Sequence, residues 1–162
     1  STGGGAVAKL VMEGVSTPKD GDRAFTSGLL HDLGKLIEDR FLHERFEEAV
    51  EIVRRDKGLL RQAEQEALGT THAKIGGHLA EWWNLPSFLV NAIRWHHRPY
   101  LSEADGEIVS AVDVADVLAH RFGIGESGNF RAPDVDAASW SRFELSEKRL
   151  ASIRVLVEGD VH

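Results

Sequence analysis

The sequence has 162 residues, of which 42% are hydrophobic and 28% charged, and this composition is typical of one compact globular domain. Its formal net charge of −7, with lysines and arginines scattered singly or in pairs, argues against a nucleic-acid surface. No cysteine is present, so a metal site would use histidine and carboxylate ligands. No apolar run is long enough to span a bilayer and no signal peptide pattern is present, which predicts a cytoplasmic protein with no membrane partner.

Apolar residues recur at the helical period of 3.6 residues along most of the chain, and no strand pattern of any length accompanies them. Gly-, Pro- and Ser-rich stretches separate the periodic segments. The pattern predicts an all-α fold, a compact multi-helix bundle of about seven or eight helices. In chain order, the predicted helices cover 6–15, 22–42, 44–56, 59–68, 72–83, 86–98, 102–122 and a stretch from Ser146 onward.

The predicted helix 22–42 contains the densest group of polar residues in an apolar setting. His31 and Asp32 are neighbours there, and on a continuous helix their side chains would point about 100° apart. The pair is therefore expected to share an ion above the helix rather than to form an ion pair with each other. Lys35 follows one turn later, close enough to offset the charge of Asp32 or of a bound phosphate.

Two glycines, Gly28 and Gly34, flank this face of the predicted helix. Each costs helix propensity on the order of 1 kcal/mol. Such a cost is easiest to understand if another group must approach the backbone closely, so we expect a close approach at this face.

Further candidate ligands lie on apolar faces of later helices. His72 begins one predicted helix, His96 and His97 end the next, and Asp113 and Asp116 lie on the helix after that. Any one buried histidine is more often a hydrogen-bonded core residue than a ligand. Several buried titratable groups together cost several kcal/mol unless something compensates them, and one divalent cation compensates them all. We therefore expect these residues to share a site with the 31–32 pair.

The adjacent histidines His96 and His97 leave the number of ions open. On a helix they diverge by about 100°. They would therefore face different metal ions, or one would ligate while the other contacts a substrate phosphate or a supporting carboxylate.

Other conspicuous side chains have ordinary structural interpretations. Trp82, Trp83 and Trp95 could stack on a base, but tryptophans at helical spacing are more often core residues, and we expect that here. His120 is placed either to support Asp116 or on a solvated helix end.

Five short blocks carry a resemblance, and they occur in a fixed order. Together they resemble the HD superfamily, and most closely its HDOD branch, with the HD-GYP phosphodiesterases as cousins. The blocks are HDLGK at 31–35, LGTTHAKIG at 68–76, WNLP at 83–86, AIRWHHRP at 92–99 and VAD at 114–116. The resemblance predicts a helical HD/HDOD-like core over 22–122, preceded by a helix and turn (1–21) and followed by a loop and a helix that packs on the core (123–162).

The resemblance implies one or two divalent metal ions, which could be iron, manganese, magnesium, nickel or zinc. The implied ligands are His31, Asp32, His72, His96, His97 and Asp116, with Asp32 bridging two ions where two are present. Asp116 is preferred over Asp113 because it fits the Ala-Asp pair of the family. Lys35 would assist with a phosphate group, so Asp32 and Lys35 are the implied catalytic residues.

The sequence departs from the family pattern in three places. Residues 1–30 hold no histidine that could serve as an upstream ligand, and Glu13 is the only glutamate there. There is no room for the helical half that normally precedes an HDOD core, so we expect the sequence to be a trimmed piece of a longer protein. The glycine-rich loop that follows the histidine pair in the HD-GYP cousins is missing after Pro99, which argues against cyclic-dinucleotide hydrolysis.

Two functions of different classes are consistent with these residues. One is a metal-dependent phosphohydrolase acting on a small phosphoester, in which a divalent ion activates water and Lys35 neutralises developing charge. The other is a catalytically silent signalling module that keeps the ligands for folding or sensing and binds a partner protein or a small phosphorylated ligand.

Overall fold

The computed structural model describes residues 2–160, and this part of the chain has ten α-helices and no β-strand. The predicted all-α multi-helix bundle is therefore confirmed. Residues 1 and 161–162, at the outer ends of the predicted segments 1–21 and 123–162, lie outside the described part. The helices are α1 (Thr2–Met12), α2 (Pro18–Leu30), α3 (Leu33–Phe41), α4 (His43–Asp56), α5 (Leu60–Leu68), α6 (His72–Trp82), α7 (Ser87–Trp95), α8 (Gly106–Arg121), α9 (Ala137–Arg142) and α10 (Glu147–Asp160), with a 3-10 turn at Pro99–Leu101.

Helix α8 is the centre of the bundle. It packs against α1, α2, α7 and α9, and nearly all of its side chains from Ile108 to Ala119 are buried. A helix that is apolar all round belongs in a protein interior. Because α8 is central, a carboxylate on it lies within the bundle, where the other candidate ligands can reach it.

A smaller apolar cluster joins α4 to α5 and includes Ile52, Leu60 and Ala63. Helix α3 packs against α6, which in turn packs against α7. These contacts place the start of α6 and the end of α7 beside the junction of α2 and α3. Within the described residues, no helix has both the length and the apolar composition needed to cross a bilayer.

The predicted single helix 22–42 is wrong, because the structure divides it. Helix α2 ends at Leu30 and α3 begins at Leu33, so His31 and Asp32 form the junction between two helices. The apolar period continues across the junction and gives no warning of it. The two side chains are consequently free of the 100° separation of a continuous helix, and His31 Nε2 lies 3.3 Å from Asp32 Oδ2.

Both glycines singled out in the sequence lie at close approaches, but the approaching groups are other helices. A Cβ atom on Gly34 would lie 1.8 Å from the His72 carbonyl oxygen on α6. A Cβ atom on Gly28 would lie 2.7 Å from the Gly4 carbonyl oxygen on α1. The glycine run near the start is itself helical and buried, which is why α1 begins at Thr2 and not at residue 6.

The later helices also differ from their predicted limits. Helix α8 begins at Gly106, after the 3-10 turn and Asp105, whose φ of 57° is left-handed. The short helix α9 was not predicted, and it begins where the Asp136 side chain accepts a hydrogen bond from the Ser139 backbone N–H.

Candidate metal centre

Asp32 lies at the centre of a cluster of histidines that come from the α2–α3 junction, the start of α6 and the end of α7. Its Oδ2 atom lies 3.3 Å from His31 Nε2, and its Oδ1 atom lies 3.4 Å from His72 Nε2 and 3.9 Å from His96 Nε2. His97 joins the group because its Nε2 lies 3.1 Å from His72 Nε2. Three histidines from separate parts of the chain thus converge on one carboxylate, and His97 joins them through His72.

Three of these imidazoles are oriented by a hydrogen bond at Nδ1. His31 and His96 each contact the backbone carbonyl three residues earlier, at 2.6 Å and 2.9 Å. His72 contacts the carboxylate of Glu64 at 2.8 Å. Carbonyls and carboxylates only accept, so Nδ1 carries a proton in each of these rings, and Nε2 is the nitrogen that faces Asp32. Metal-binding histidines are oriented in this way in proteins.

Two buried polar atoms in the cluster form no hydrogen bond with the rest of the described chain. They are Asp32 Oδ1 and His96 Nε2. A buried acceptor without a donor costs about 1–3 kcal/mol, and a cation between such atoms would remove the cost. The residues present therefore fit a divalent metal ion, with imidazole and carboxylate donors.

The ligand atoms fall into two overlapping groups within the described residues. His31, Asp32 and His96 form one, and His72, His96 and His97 form the other, with all ligand atoms of a group within 4.8 Å of one another. His96 belongs to both groups. Both arrangements predicted for the adjacent histidines, one ion or two, are compatible with this geometry.

The structure brings Asp116 to the cluster and places Asp113 elsewhere. Asp116 Oδ1 lies 3.3 Å from His31 Nε2, and the Asp116 side chain is only 11% exposed. Asp113 faces the chain that precedes α9, where its Oδ2 accepts a hydrogen bond of 3.1 Å from the Asp136 backbone N–H. Burial raises the pKa of Asp113 to about 7. This placement favours Asp116 as the ligand.

Burial and the charges within the cluster shift the pKa values of its side chains. Burial disfavours the charged form of His31, but the nearby Asp32 and Asp116 carboxylates outweigh it and raise the His31 pKa. Burial opposes ionisation of Asp32 as well, yet His31 and Lys35 hold its pKa well below the usual range. Burial and the adjacent imidazoles lower the pKa of His96 to about 3, so its lone pair is available at neutral pH.

Lys35 connects the junction to the loop after α8. Its Nζ donates to Asp32 Oδ2 at 2.9 Å and to the Ser127 carbonyl at 2.8 Å. An ammonium has three donors, so one N–H is left for another acceptor. Lys35 was predicted to offset the charge either of Asp32 or of a bound phosphate, and in this structure it offsets the charge of Asp32.

A pair of buried glutamates behind His72 was not among the predicted site residues. Glu38 on α3 and Glu64 on α5 are both fully buried. Burial and the negative charge of the nearby Glu64 raise the pKa of Glu38 to about 9, so Glu38 is the protonated member of the pair at neutral pH. The signal was available, because Glu64 lies on the same face of α5 as Leu60 and Ala63, where an apolar residue belongs.

Two clefts reach the cluster from different sides. One has a volume of about 310 Å³ and is lined by His31, Asp32, Lys35 and Asp116 together with apolar side chains such as Leu36 and Ile124. We call it the aspartate-side cleft. The other, about 1010 Å³, has His97 in its lining. The cluster is therefore accessible to small ligands from both sides.

The remaining sequence expectations have mixed outcomes. Trp82 and Trp83 are 77% and 53% exposed, so the expectation that they are core residues is wrong. Trp82 is the last residue of α6 and Trp83 is its C-cap. His120 contacts the Ser127 hydroxyl at 3.2 Å and lines the aspartate-side cleft.

Comparison with known protein families is consistent with this geometry. The model of the HDOD domain matches residues 1–99, which is more than half of the chain. The chain belongs to the HDOD domain family. The match includes His31, Asp32, His72 and the 96–97 pair, while Asp116 lies beyond it.

The relatives and structural neighbours of this HDOD domain are longer proteins. An uncharacterized protein of Treponema pallidum (strain Nichols) is 33% identical over 110 residues, or 64% of this chain, and this chain spans 20% of its length. A crystal structure of an HDOD domain protein of unknown function from Geobacter sulfurreducens has a TM-score of 0.79 and 27% identity, with 97% of this chain and 59% of that chain covered.

Two further solved structures share the fold. A candidate signal transduction protein from Marinobacter aquaeolei VT8 has a TM-score of 0.76 and 16% identity, covering 97% of this chain and 36% of that one. A candidate phosphohydrolase from Shewanella amazonensis SB2B has a TM-score of 0.59 and 22% identity, covering 97% and 51%. At these identities the likeness concerns the fold alone.

Proposed function

We propose that this HDOD domain is a metal-dependent phosphohydrolase that acts on a small phosphoester in signal transduction. The observation that supports it best is the convergence of imidazole Nε2 atoms on Asp32, whose Oδ1 atom lacks a hydrogen bond. The residues that would hold the metal are His31, Asp32, His72, His96, His97 and Asp116. When bound, one or two divalent ions would supply Lewis acidity and lower the pKa of a water molecule, so that it can attack phosphorus as hydroxide.

The chain's own residues have defined tasks in this proposal. Asp32 contacts both ligand groups and would be the shared ligand where two ions bind. The backbone carbonyls and Glu64 hold the imidazoles in one tautomer, so no reorientation is needed when substrate arrives. The third N–H of Lys35 would donate to a phosphate oxygen in the aspartate-side cleft and offset developing charge.

A second candidate function is the catalytically silent signalling module. One specific observation favours it. Glu13, the only glutamate before His31, is exposed after the end of α1 and does not reach the cluster. The cluster would then hold its ion for stability or sensing, and the output would be binding of a partner protein or a phosphorylated ligand. The cytoplasmic location, the absence of a nucleic-acid partner and the division at residues 21 and 122 stay predictions.

Metal analysis and phosphatase assays on matched variants test the proposal. We expect Asp32→Asn and Asp116→Asn to lose bound metal, measured by elemental analysis, and to lose hydrolysis of a panel of aryl and nucleotide phosphoesters. Asp113→Asn, three residues from Asp116 but turned away from the cluster, should keep both. Hydrolysis that Asp32→Asn leaves unchanged would contradict the proposal, and bound metal without turnover of any phosphoester would favour the signalling module.

A further inference from the structure

The larger cleft lies on the His97 side of the cluster, and we call it the basic cleft. Its volume of about 1010 Å³ lies at the upper end of the range for small-molecule sites, about 300–1,000 Å³. Side chains from α5, α6, the end of α7, the segment after α7 and residues 134–136 line it. None of the lining residues other than His97 is used in the proposed hydrolysis.

The charges in this cleft are opposite in sign to that of the whole chain. The lysines and arginines of its lining are Arg61, Lys74, Arg94 and Arg98, although the whole chain has a net charge of −7. Arg94 is paired with a carboxylate at 2.7 Å. The other three form no ion pair with any residue of the described chain. Four cations face two carboxylates in the lining, so the cleft carries a local excess of positive charge.

The two carboxylates in the lining are already engaged elsewhere. Asp134 lies 3.8 Å from the Arg131 guanidinium. Asp136 caps α9 by accepting hydrogen bonds from Ser139 at 3.0 Å and 3.2 Å. Neither forms an ion pair with a cation of the cleft.

Arg61 is the most informative of the unpaired cations. Its Nε atom is buried and has no hydrogen-bond partner within residues 2–160. The guanidinium is close enough to His97 to disfavour protonation of that imidazole. A buried donor without an acceptor is costly, and a guanidinium matches the geometry of a phosphate group. Arg61 thus lies at the inner end of the cleft as a donor that lacks an acceptor.

Aromatic side chains lie in the same lining. Tyr100 is 70% exposed and Trp95 is half-buried. An exposed aromatic ring beside unpaired cations offers a stacking surface for a planar ring such as a base. The lining combines the two chemistries by which a protein recognises a phosphorylated compound that carries an aromatic base.

We propose that the basic cleft binds a small ligand with phosphate groups and a planar ring, the chemistry of a mononucleotide. Arg61 and Arg98 would contact the phosphates, and Tyr100 would stack on the ring. The site is distinct from the aspartate-side cleft. Binding there requires no turnover, so the inference can succeed or fail independently of the proposed function.

Isothermal titration of metal-free protein with ADP and with inorganic pyrophosphate tests the inference. We expect both probes to bind. We expect Arg61→Gln and Arg98→Gln each to weaken both by about tenfold or more, since charge-assisted hydrogen bonds are lost. Tyr100→Leu should weaken ADP and leave pyrophosphate unchanged. The matched control is Arg54→Gln, which removes the same charge from a side chain 71% exposed on α4 and should bind both probes as the unmodified protein does.

Several outcomes would overturn the inference. The first is that neither probe binds. The second is that Arg54→Gln weakens binding of the probes as much as Arg61→Gln does. The third is that binding requires added metal and is weakened only by Asp32→Asn. Tighter binding of a polyglutamate peptide than of ADP would assign the cleft to a protein partner instead. If Arg61→Gln fails to fold, as judged by circular dichroism, the exposed Arg98 and Tyr100 decide the question alone, with the same expected losses.

Discussion

The histidine cluster and the basic cleft meet at His97, and they leave opposite kinds of polar atom unsatisfied. In the cluster the unpartnered atoms are acceptors, Asp32 Oδ1 and His96 Nε2, and they are buried. In the cleft the unpaired groups are cationic donors, led by Arg61. Convergent acceptors favour a cation, and convergent donors favour an anion. The kind of unsatisfied atom on each side therefore indicates the charge of the ligand that the side would bind, without reference to any relative.

The largest expected effect disrupts the histidine cluster by forcing apart two helices whose backbones are in close contact. In Gly34→Ala the new Cβ would lie 1.8 Å from the His72 carbonyl oxygen, so α3 and α6 must separate. We expect a loss of unfolding free energy on the order of 3 kcal/mol, measured by urea denaturation, together with loss of bound metal. The control is Gly159→Ala on α10, where nothing lies within 4 Å of the new atom, and it should be neutral or slightly stabilising. A Gly34→Ala protein as stable as the unmodified chain would show that the close packing is wrong.

A smaller effect sharpens the comparison by disturbing one imidazole without touching its metal-facing atom. Glu64 accepts from His72 Nδ1 at 2.8 Å. We expect Glu64→Gln to lower metal affinity by about 10–100-fold, because supporting carboxylates orient and polarise ligand histidines. Competition against a chelating dye measures it. The control is Glu66→Gln, which alters a side chain 61% exposed two residues later on α5 and should leave the metal affinity unchanged. An equal loss of metal affinity in both variants would show that Glu64 does not position His72.

The smallest expected effect concerns pH and the protonated member of the glutamate pair. The pKa of Glu38 is raised to about 9 in the folded state from an ordinary value of 4.5. A carboxyl group whose pKa is raised on folding contributes stability at low pH, and this contribution is lost as the pH rises from 4.5 to about 9. We expect the metal-free protein to lose stability relative to Glu38→Gln between pH 6 and pH 9, measured by urea denaturation at several pH values.

The control for this experiment is Glu44→Gln, which alters an exposed carboxylate at the start of α4. Its stability should run parallel to that of the unmodified protein over the same pH range. A Glu38→Gln variant that also runs parallel would show that Glu38 is ionised in the folded protein.

The helical class of the protein was predictable because burial of one face leaves a period of 3.6 residues in the sequence. Helices α4 to α7 follow that period, and their observed limits lie close to the predicted ones. The division at His31 and Asp32 was not predictable, because the apolar pattern runs through it. The junction is associated with contacts from outside the segment, above all the approach of α6 to Gly34.

The candidate ligands were found by the sequence because histidines and aspartates in apolar surroundings are conspicuous. The sequence could not choose between Asp113 and Asp116 on geometry, since both lie on buried turns of α8 and only the packing shows which one approaches His31. Glu38 and Glu64 were missed because each is a single glutamate among many charged neighbours. Their pairing joins two helices and exists only in the folded chain.

The sequence by itself determined that this is an all-helical protein without thiolate ligands and that its candidate ligand histidines and aspartates lie among apolar residues. Local periodicity and residue chemistry are sufficient for those conclusions. Only the tertiary structure decided that His31 and Asp32 interrupt a helix, that a glutamate pair supports His72, and that scattered cations of an acidic chain gather in one cleft. Each of these depends on side chains from helices distant in sequence, and only packing brings such helices together.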